Sequence, residues 1–513
     1  MVRSPVNFRA FIVVALSVTA AVFCAYAYVF SRAAGIACGC ALVAALLCVT
    51  VVSALACKRV KIRLRIVIAF AIATVLSVSA FSFALAAIED WRESNRYGGE
   101  HAVTGRVCAV DIGTGDYRFV LENVAFDGVR VDGSMRIRIA PSDRNIGDFL
   151  ECGDTLDFYA NVSPVKLVDG GKVDGHAFRT DIRYIATVSA DDIYVHFGKP
   201  TALESFRANL RELYITNMGD KYGNIAFSMV TGDKYGLDSR VVDYFSASGL
   251  GHIMAVSGLH IGFLAVVLNF ALCKLGKKAR FPIVLAVLIA YNVVADFSPS
   301  VIRATIMAAV SGEALYFGGR RDLLSSLLCA FSVILAFKPL YLFEAGFLLS
   351  FGAIFGIALF ANTIRRLLVK KGAADKLSNA VGASVSVSVG ILPSQLYFFG
   401  SVQTLAALVN VVALPYIATV FIVTVCLTPL AAIPGCGAVL RACEYLLVPL
   451  DGIAYGVSRI PYSVFAARCS SAVFLCYPVM FFASDFFMIK KGRPSVVAYS
   501  AAACLVLMTV CML

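Results

Sequence analysis

Ser248-Gly-Leu-Gly-His-Ile-Met-Ala-Val-Ser-Gly-Leu-His-Ile-Gly262 sets two histidines, two serines and four glycines at the mouth of an apolar run. Polar and helix-weakening residues are costly in lipid, so they belong where they face a cavity or another helix. The stretch therefore points to a membrane helix with a functional mouth.

The surrounding chain fits that setting. Its 513 residues are 59% hydrophobic and 15% charged, with mean hydropathy +0.81. A soluble domain sits near 45–50% apolar and about 25% charged. The fold class expected is a polytopic α-helical membrane protein of about thirteen spans, with an inserted extracytoplasmic all-β domain. Apolar runs of spanning length cover about Phe11–Phe30, Gly35–Ala56 and Ile66–Ile88, then His252–Cys273 and further runs to Val496–Met512. Basic clusters at Lys58–Arg65, Lys274–Arg280, Arg320-Arg321, Arg365–Lys371 and Lys490–Arg493 occupy short gaps between these runs. Short cytoplasmic loops carry such an excess, so all five are placed inside, with the N-terminus. The net charge of +12 thus orients the chain in a cytoplasmic membrane and does not by itself point to nucleic acid.

Four regions follow: a three-span anchor over 1–90, an extracytoplasmic β domain over 91–200, amphipathic helices over 201–248 and a polytopic domain over 249–513. Strands are predicted at Ala102–Val110, Tyr117–Leu121, Met135–Ile139, Thr155–Ala160 and Ile182–Val188, from β-branched and aromatic enrichment between turn residues. Five such strands suit a small barrel, best of OB type, with a small sandwich as the alternative. Phe206, Leu210, Leu213 and Tyr214 repeat at helical spacing among charges, so 203–245 is expected along the outer membrane face or in a vestibule. Most of the sixteen cysteines lie in apolar segments. Cys108 and Cys152 share the extracytoplasmic island, where a disulfide between them is expected, with two buried thiols as the alternative.

No cofactor or metal site is expected, and the chain is not read as an enzyme. Five histidines (101, 176, 196, 252 and 260) supply no zinc-type cluster, and no phosphate-binding GxxxxGK[ST] loop provides an internal ATP motor. Ser257 and His260 lie three apart on one helix, without a third partner for nucleophilic catalysis. A transport reading uses these residues better. Gly232-Asp233-Lys234 precedes the signature; Ser248, Gly249, His252, Ser257, Gly258 and His260 would line a channel path, with the two histidines on a similar helix face. Arg303 would hold a phosphate at the channel mouth, or else pair structurally with Asp296 or Glu313. Glu344 is a further ionisable group beside a span. Phe206, Tyr214, Tyr222, Tyr235, Tyr244 and Phe245 offer stacking surfaces nearby.

Several segments together resemble the ComEC family of competence proteins. Thr231–Lys234 is similar to its GD(R/K) element, Phe245–Gly262 to its central signature and Ser300-Val-Ile-Arg303 to its S-x-x-R span. Glu344–Phe351 resembles its GFxLSF element, and Leu392–Gly400 and Asn410–Pro415 its last block. The resemblance implies a channel that admits single-stranded DNA, and an extracellular OB-like domain. Many members continue into a metallo-β-lactamase-like domain; here the chain ends in an apolar run at Leu513, so a separate nuclease and a cytoplasmic ATP-driven motor are the expected partners, beside DNA and membrane lipid. The island holds 13 Lys/Arg against 17 Asp/Glu, a poor footprint for tight DNA binding, although Arg118, Arg136 and Arg138 form a local basic group. The alternatives are a channel for another polar polymer or solute, and an intramembrane hydrolase built on Asp233, His252 and His260.

Overall fold

A computed structural model describes residues 10–56, 60–113, 116–140, 150–169, 172–234, 236–317, 322–467 and 469–483. Three long helices open the chain: α1 (Ala10–Phe30), α2 (Arg32–Ala56) and α3 (Val60–Ser94). Small residues of α1 and α3, such as Ala21, Ala25, Ala73, Ala80 and Ala84, are fully packed and let the two helices approach closely.

The polar island is a β-barrel. Its strands are β1 (Gly99–Gly113), β2 (Asp116–Phe126), β3 (Ser134–Ala140), β4 (Thr155–Pro164) and β5 (Ile182–Ser189), with a short β6 (Ile193–His196) on β4. All five predicted strands fall within β1–β5. The order is β1-β2-β3-β5-β4, and β4 pairs back on β1, so the sheet closes. Only the β3–β5 pair is parallel among these contacts. Alternation explains the core: Phe119 and Leu121, Met135, Ile137 and Ile139, Leu156 and Phe158, and Tyr184 and Ala186 point inward two residues apart. The helix α4 (Gly175–Thr180), capped by Asp174, sits between β4 and β5.

Three contacts dock the barrel on the helices. Arg183 joins Asp90 (2.7 Å), Ser94 (3.1 Å) and Asp181 (2.9 Å), and lies over the ring of Trp91. Arg106 binds Glu204 through both guanidinium nitrogens (3.0 and 2.6 Å) and also reaches Glu122. Gly175 of α4 abuts the Phe343 carbonyl so closely that a Cβ would not fit.

The segment expected along the outer membrane face or in a vestibule buries Leu210, Tyr214 and Met218 of its first part and all of 223–231 against the other helices. Helix α5 (Ala202–Thr231) reverses at Gly219, where φ is +73°. Gly223 packs on the backbone of Tyr214 and Ile215, and the side-chain Oδ1 of Asn224 accepts from Arg211 Nε, thirteen residues back (3.0 Å). These contacts require a hairpin, with arms 202–218 and 220–231. Its tip region meets the loop after the long helix ending at Ala431, where Asn217 abuts Gly437. Residues 223–231 are all buried. Helix α6 (Ser239–Ala247) then leads into the signature.

The remaining helices are α7 (Gly258–Ala271), α8 (Lys277–Val294), α9 (Pro299–Phe317), α10 (Leu323–Phe337), α11 (Ala345–Lys370), α12 (Asp375–Phe399), α13 (Ala406–Ala431), α14 (Arg441–Ser458) and α15 (Cys476–Ala483). Among the described residues, six helices are long and apolar enough to cross a membrane: α1, α2, α3, α11, α12 and α13. α7 and α10 are apolar but shorter. The last expected span, Val496–Met512, lies outside the described residues. α11 and α12 pack backbone to backbone: Gly352 and Gly356 face Gly390 and Ser386 with no room for a side chain. Five helices form a ring, because α7 packs on α9, α9 on α11, α11 on α12, α12 on α13, and α13 back on α7.

Candidate translocation site

The signature is a connector made of turns. Ser248 is fully buried and accepts the Leu250 N–H while its hydroxyl donates to the Phe245 carbonyl (2.8 Å). Gly249 adopts φ +83° and lies against Ala406 at the start of α13, so a side chain there is excluded twice over. Residues 251–254 form a 3₁₀ turn, and α7 begins only at Gly258. This corrects two expectations. The span does not start at His252, and His252 and His260 do not share a helix face. α7 has 14 residues, a rise of about 21 Å against a hydrocarbon core of about 30 Å. The signature before it is irregular backbone in which Ser248, Leu250, Ile253, Met254 and Val256 are buried.

His252 lies beside the Gly249 carbonyl (3.1 Å). His260 is 1% exposed and its ring packs on Phe421. Its Nδ1 accepts the Ser257 N–H (3.0 Å), which makes Nε2 the protonated nitrogen of the neutral ring. Ser257 Oγ is 3.4 Å from the same Nδ1. The nitrogen a general base would use is therefore spent on capping α7.

Arg303 differs from every other cation described so far. It is 4% exposed on α9, and its Nη1 donates to the Ser350 carbonyl of α11. Its Nη2 lies against Gly258 at the first turn of α7, where a Cβ would collide with it. The guanidinium also lies over Phe351, 5.7 Å from the ring centre. Its Nε is buried without a hydrogen-bond partner, and no carboxylate lies within ion-pair distance among the described residues. The expected pairing with Asp296 is thus not made; the Glu313 side chain lies outside the described residues. A charge at the bilayer centre costs about 3 kcal/mol on insertion scales. The arginine bridges α7, α9 and α11, three neighbours in the ring.

Gly232 ends α5 with φ +81° and touches Val256, joining the Gly-Asp-Lys loop to the signature. The Asp233 N–H donates to Thr231 Oγ1 (3.2 Å), and Lys234 is exposed. Glu344 caps α11, accepting from the Phe347 N–H (2.5 Å), and lies 3.7 Å from Arg179 of α4. It thus caps the start of α11 and faces α4 of the barrel region. Tyr214 and Phe245 are buried in the core, whereas Phe206, Tyr222 and Tyr244 keep exposed or part-exposed rings; Tyr235 lies outside the described residues. Cys108 and Cys152 do come together, but as free thiols. Cys152 donates to the Cys108 carbonyl (3.4 Å), and Cys108 to that of Val120 (3.3 Å). The expected disulfide is not made in this structure. Burial pushes the Cys108 thiol up to about 12 and that of Cys152 to about 11. Burial alone would raise Glu204, but Arg106 and the Thr201 backbone hold its carboxyl below the usual range.

Sequence reasoning assigned no role to three further features. Asn410 lies on the packed face of α13, in line with Ala406, Ala413 and Ile417, and its Oδ1 is buried without a partner. Gln395 donates to Gln403 (2.9 Å) near the same end of α13. Asp451 of α14 is 9% exposed and accepts from Lys221 (2.5 Å) and Tyr244. The signal for each was a polar residue inside or beside an apolar run.

Fold and site together define a polytopic helical membrane protein that carries a closed β-barrel and keeps, in its helical ring, a buried cation with no carboxylate partner among the described residues. The chain belongs to the Competence protein family, whose model matches residues 229–491. It is similar to ComE operon protein 3 of Bacillus subtilis (strain 168), at 28% identity over 195 residues, 37% of this chain and 24% of that protein. It is also similar to Competence protein ComA of Neisseria gonorrhoeae, at 26% identity over 318 residues, 57% of this chain and 44% of that protein. The chain thus spans less than half the length of both curated relatives. No solved structure matches it.

Proposed function

We propose that this chain is a DNA-uptake channel that passes single-stranded DNA across the cytoplasmic membrane during natural transformation. The observation that carries the reading is the ring of α7, α9, α11, α12 and α13, into which the family motifs bring Arg303 and Asn410 with buried polar atoms left unpaired. A polyanion with hydrogen-bonding bases offers what both groups lack. The structure then corresponds to a closed state, because Ser248 and His260 are packed and Arg303 lies across Gly258. On this reading the passage runs beside the signature, whose turns set where α7 begins.

The barrel is of OB type on this reading. Support comes from its strand order, with the third and fifth strands parallel and the fourth pairing back on the first. It stands outside the cytoplasm, with the N-terminus inside and about thirteen crossings in all. The 202–231 hairpin enters from the barrel side as a re-entrant element. A separate nuclease supplies the single strand, and a separate cytoplasmic ATP-driven motor draws it in. Internalisation of labelled DNA tests the function: deletion of the chain abolishes DNase-protected label while surface binding persists. Normal internalisation in the deletion strain would refute it.

A further inference from the structure

We infer that the first turn of α7 and the Arg303 guanidinium form one anion-binding site, which takes a phosphodiester of the passing strand and is held shut by the same arginine when empty. The inference rests on the DNA reading for the identity of the anion, and on the following geometry for the site.

The first N–H groups of a helix have no intrahelical partner and carry its positive end. α7 begins at Gly258 with no acidic residue in its first turn; its cap is Ser257, whose N–H is taken by the ring of the third residue, His260, and neither brings a negative charge. The Arg303 guanidinium lies directly on that turn. Two positive groups thus face each other in a buried setting. α9 likewise has no acid in its first turn, and Arg303 is the fifth residue of that helix. Ser350 is the sixth residue of α11, so three helices present their N-terminal ends at one level. Of these, α11 is capped by Glu344, which is already engaged with the Phe347 N–H and lies near Arg179.

The second observation is independent of the helix end. Arg303 is 4% exposed and its Nε has no partner, although an arginine carries five donors. The Ser350 carbonyl is a neutral acceptor and leaves the charge uncompensated. A phosphate oxygen seated between Gly258 and Arg303 would accept from both, as helix N-termini and guanidinium forks do for phosphates generally. Only glycine permits this approach, since a Cβ at 258 occupies the place where the guanidinium now lies. Exchange of the Ser350 carbonyl for a phosphate moves the arginine off Gly258. A polyanion therefore opens the site as it enters, and the ring reseals behind the last phosphate. Recognition is indifferent to base sequence, because only the backbone is read.

The full chain in phosphatidylcholine vesicles provides the test. The probes are a fluorescent single-stranded oligonucleotide, the same sequence on an uncharged backbone, and inorganic polyphosphate. Arg303→Gln is expected to weaken charged-strand binding about 10-fold, the effect of one charge-assisted contact. It should also flatten the slope of log affinity against log salt by about 0.7, the share of one single-strand phosphate. Arg303→Lys retains most of both, which separates charge from folding, and the uncharged strand binds wild type and Arg303→Gln alike. Wild-type affinity and slope in Arg303→Gln would overturn the site. Binding of polyphosphate by wild type, lost in Arg303→Gln, with no oligonucleotide bound by either, would uphold the anion site and refute the DNA reading.

Discussion

The barrel and the helical ring treat charge in opposite ways. In the barrel each docking arginine is matched: Arg106 by Glu204 and Glu122, Arg183 by Asp90 and Asp181. In the ring Arg303 is more deeply buried and has a backbone carbonyl and an aromatic face for company. Matched charges hold two bodies together. An unmatched one costs stability, and under the proposed function its partner is the phosphate of the passing strand.

That contrast separates effects on folding from effects on transport. The largest loss of stability is expected in the barrel core. Phe119→Ala should cost about 4 kcal/mol, read as earlier loss of β structure on heating. Arg303→Gln should leave the thermal midpoint near wild type while abolishing DNA internalisation. A reversed pattern, with Arg303→Gln unfolding the chain, would make the arginine a structural group and erase the contrast. Gly258→Leu comes next. Its side chain collides with Arg303, so internalisation should fall by at least about 10-fold at normal expression, each factor of ten being 1.4 kcal/mol.

The barrel clamp should respond more mildly. Arg106→Gln removes a pair whose side chains are 18% and 17% exposed, and should cost about 2 kcal/mol of barrel docking, read as faster proteolysis between β6 and α5. The same clamp has a defined acid limit. The Glu204 carboxyl is lower in the folded chain than in the unfolded one, so its contribution is complete above the unfolded value. It is lost as pH falls through the folded value, below about 4.3, and Glu204→Gln should remove that part of the acid sensitivity. The smallest effect concerns the cysteines. With thiols pushed up to about 12 and about 11, Cys108 and Cys152 should alkylate slowly at pH 8 in the folded barrel. Both should label after unfolding without reductant; labelling that appears only after reduction would restore the disulfide.

What was legible in the chain follows the same division. The barrel strands could be read because alternation over five segments is set by the pleat itself. Arg303 could be singled out because a charge within an apolar run has few structural uses, but its burial without an Asp296 pair needed the packing of α7, α9 and α11. The hairpin at 202–231 could not, since a single positive φ at Gly219 turns one amphipathic pattern into two packed arms. The start of α7 was misplaced because Gly-Leu-Gly-His continues the apolar run in composition, while its backbone forms a 3₁₀ turn and an extended step. Asn410 lay within a quoted motif, and only the packed face of α13 gives it a direction.

The proposed path of the strand runs between α7, α9, α11, α12 and α13. A photoreactive residue can be placed at Asn410, on the ring face of α13, or at Leu408, which is 68% exposed on its outer face. A DNA strand is then arrested in transit by a bulky end group and irradiated. Covalent capture of the strand at position 410 and none at 408 is the predicted result; capture at 408 alone, or equally at both, would contradict it.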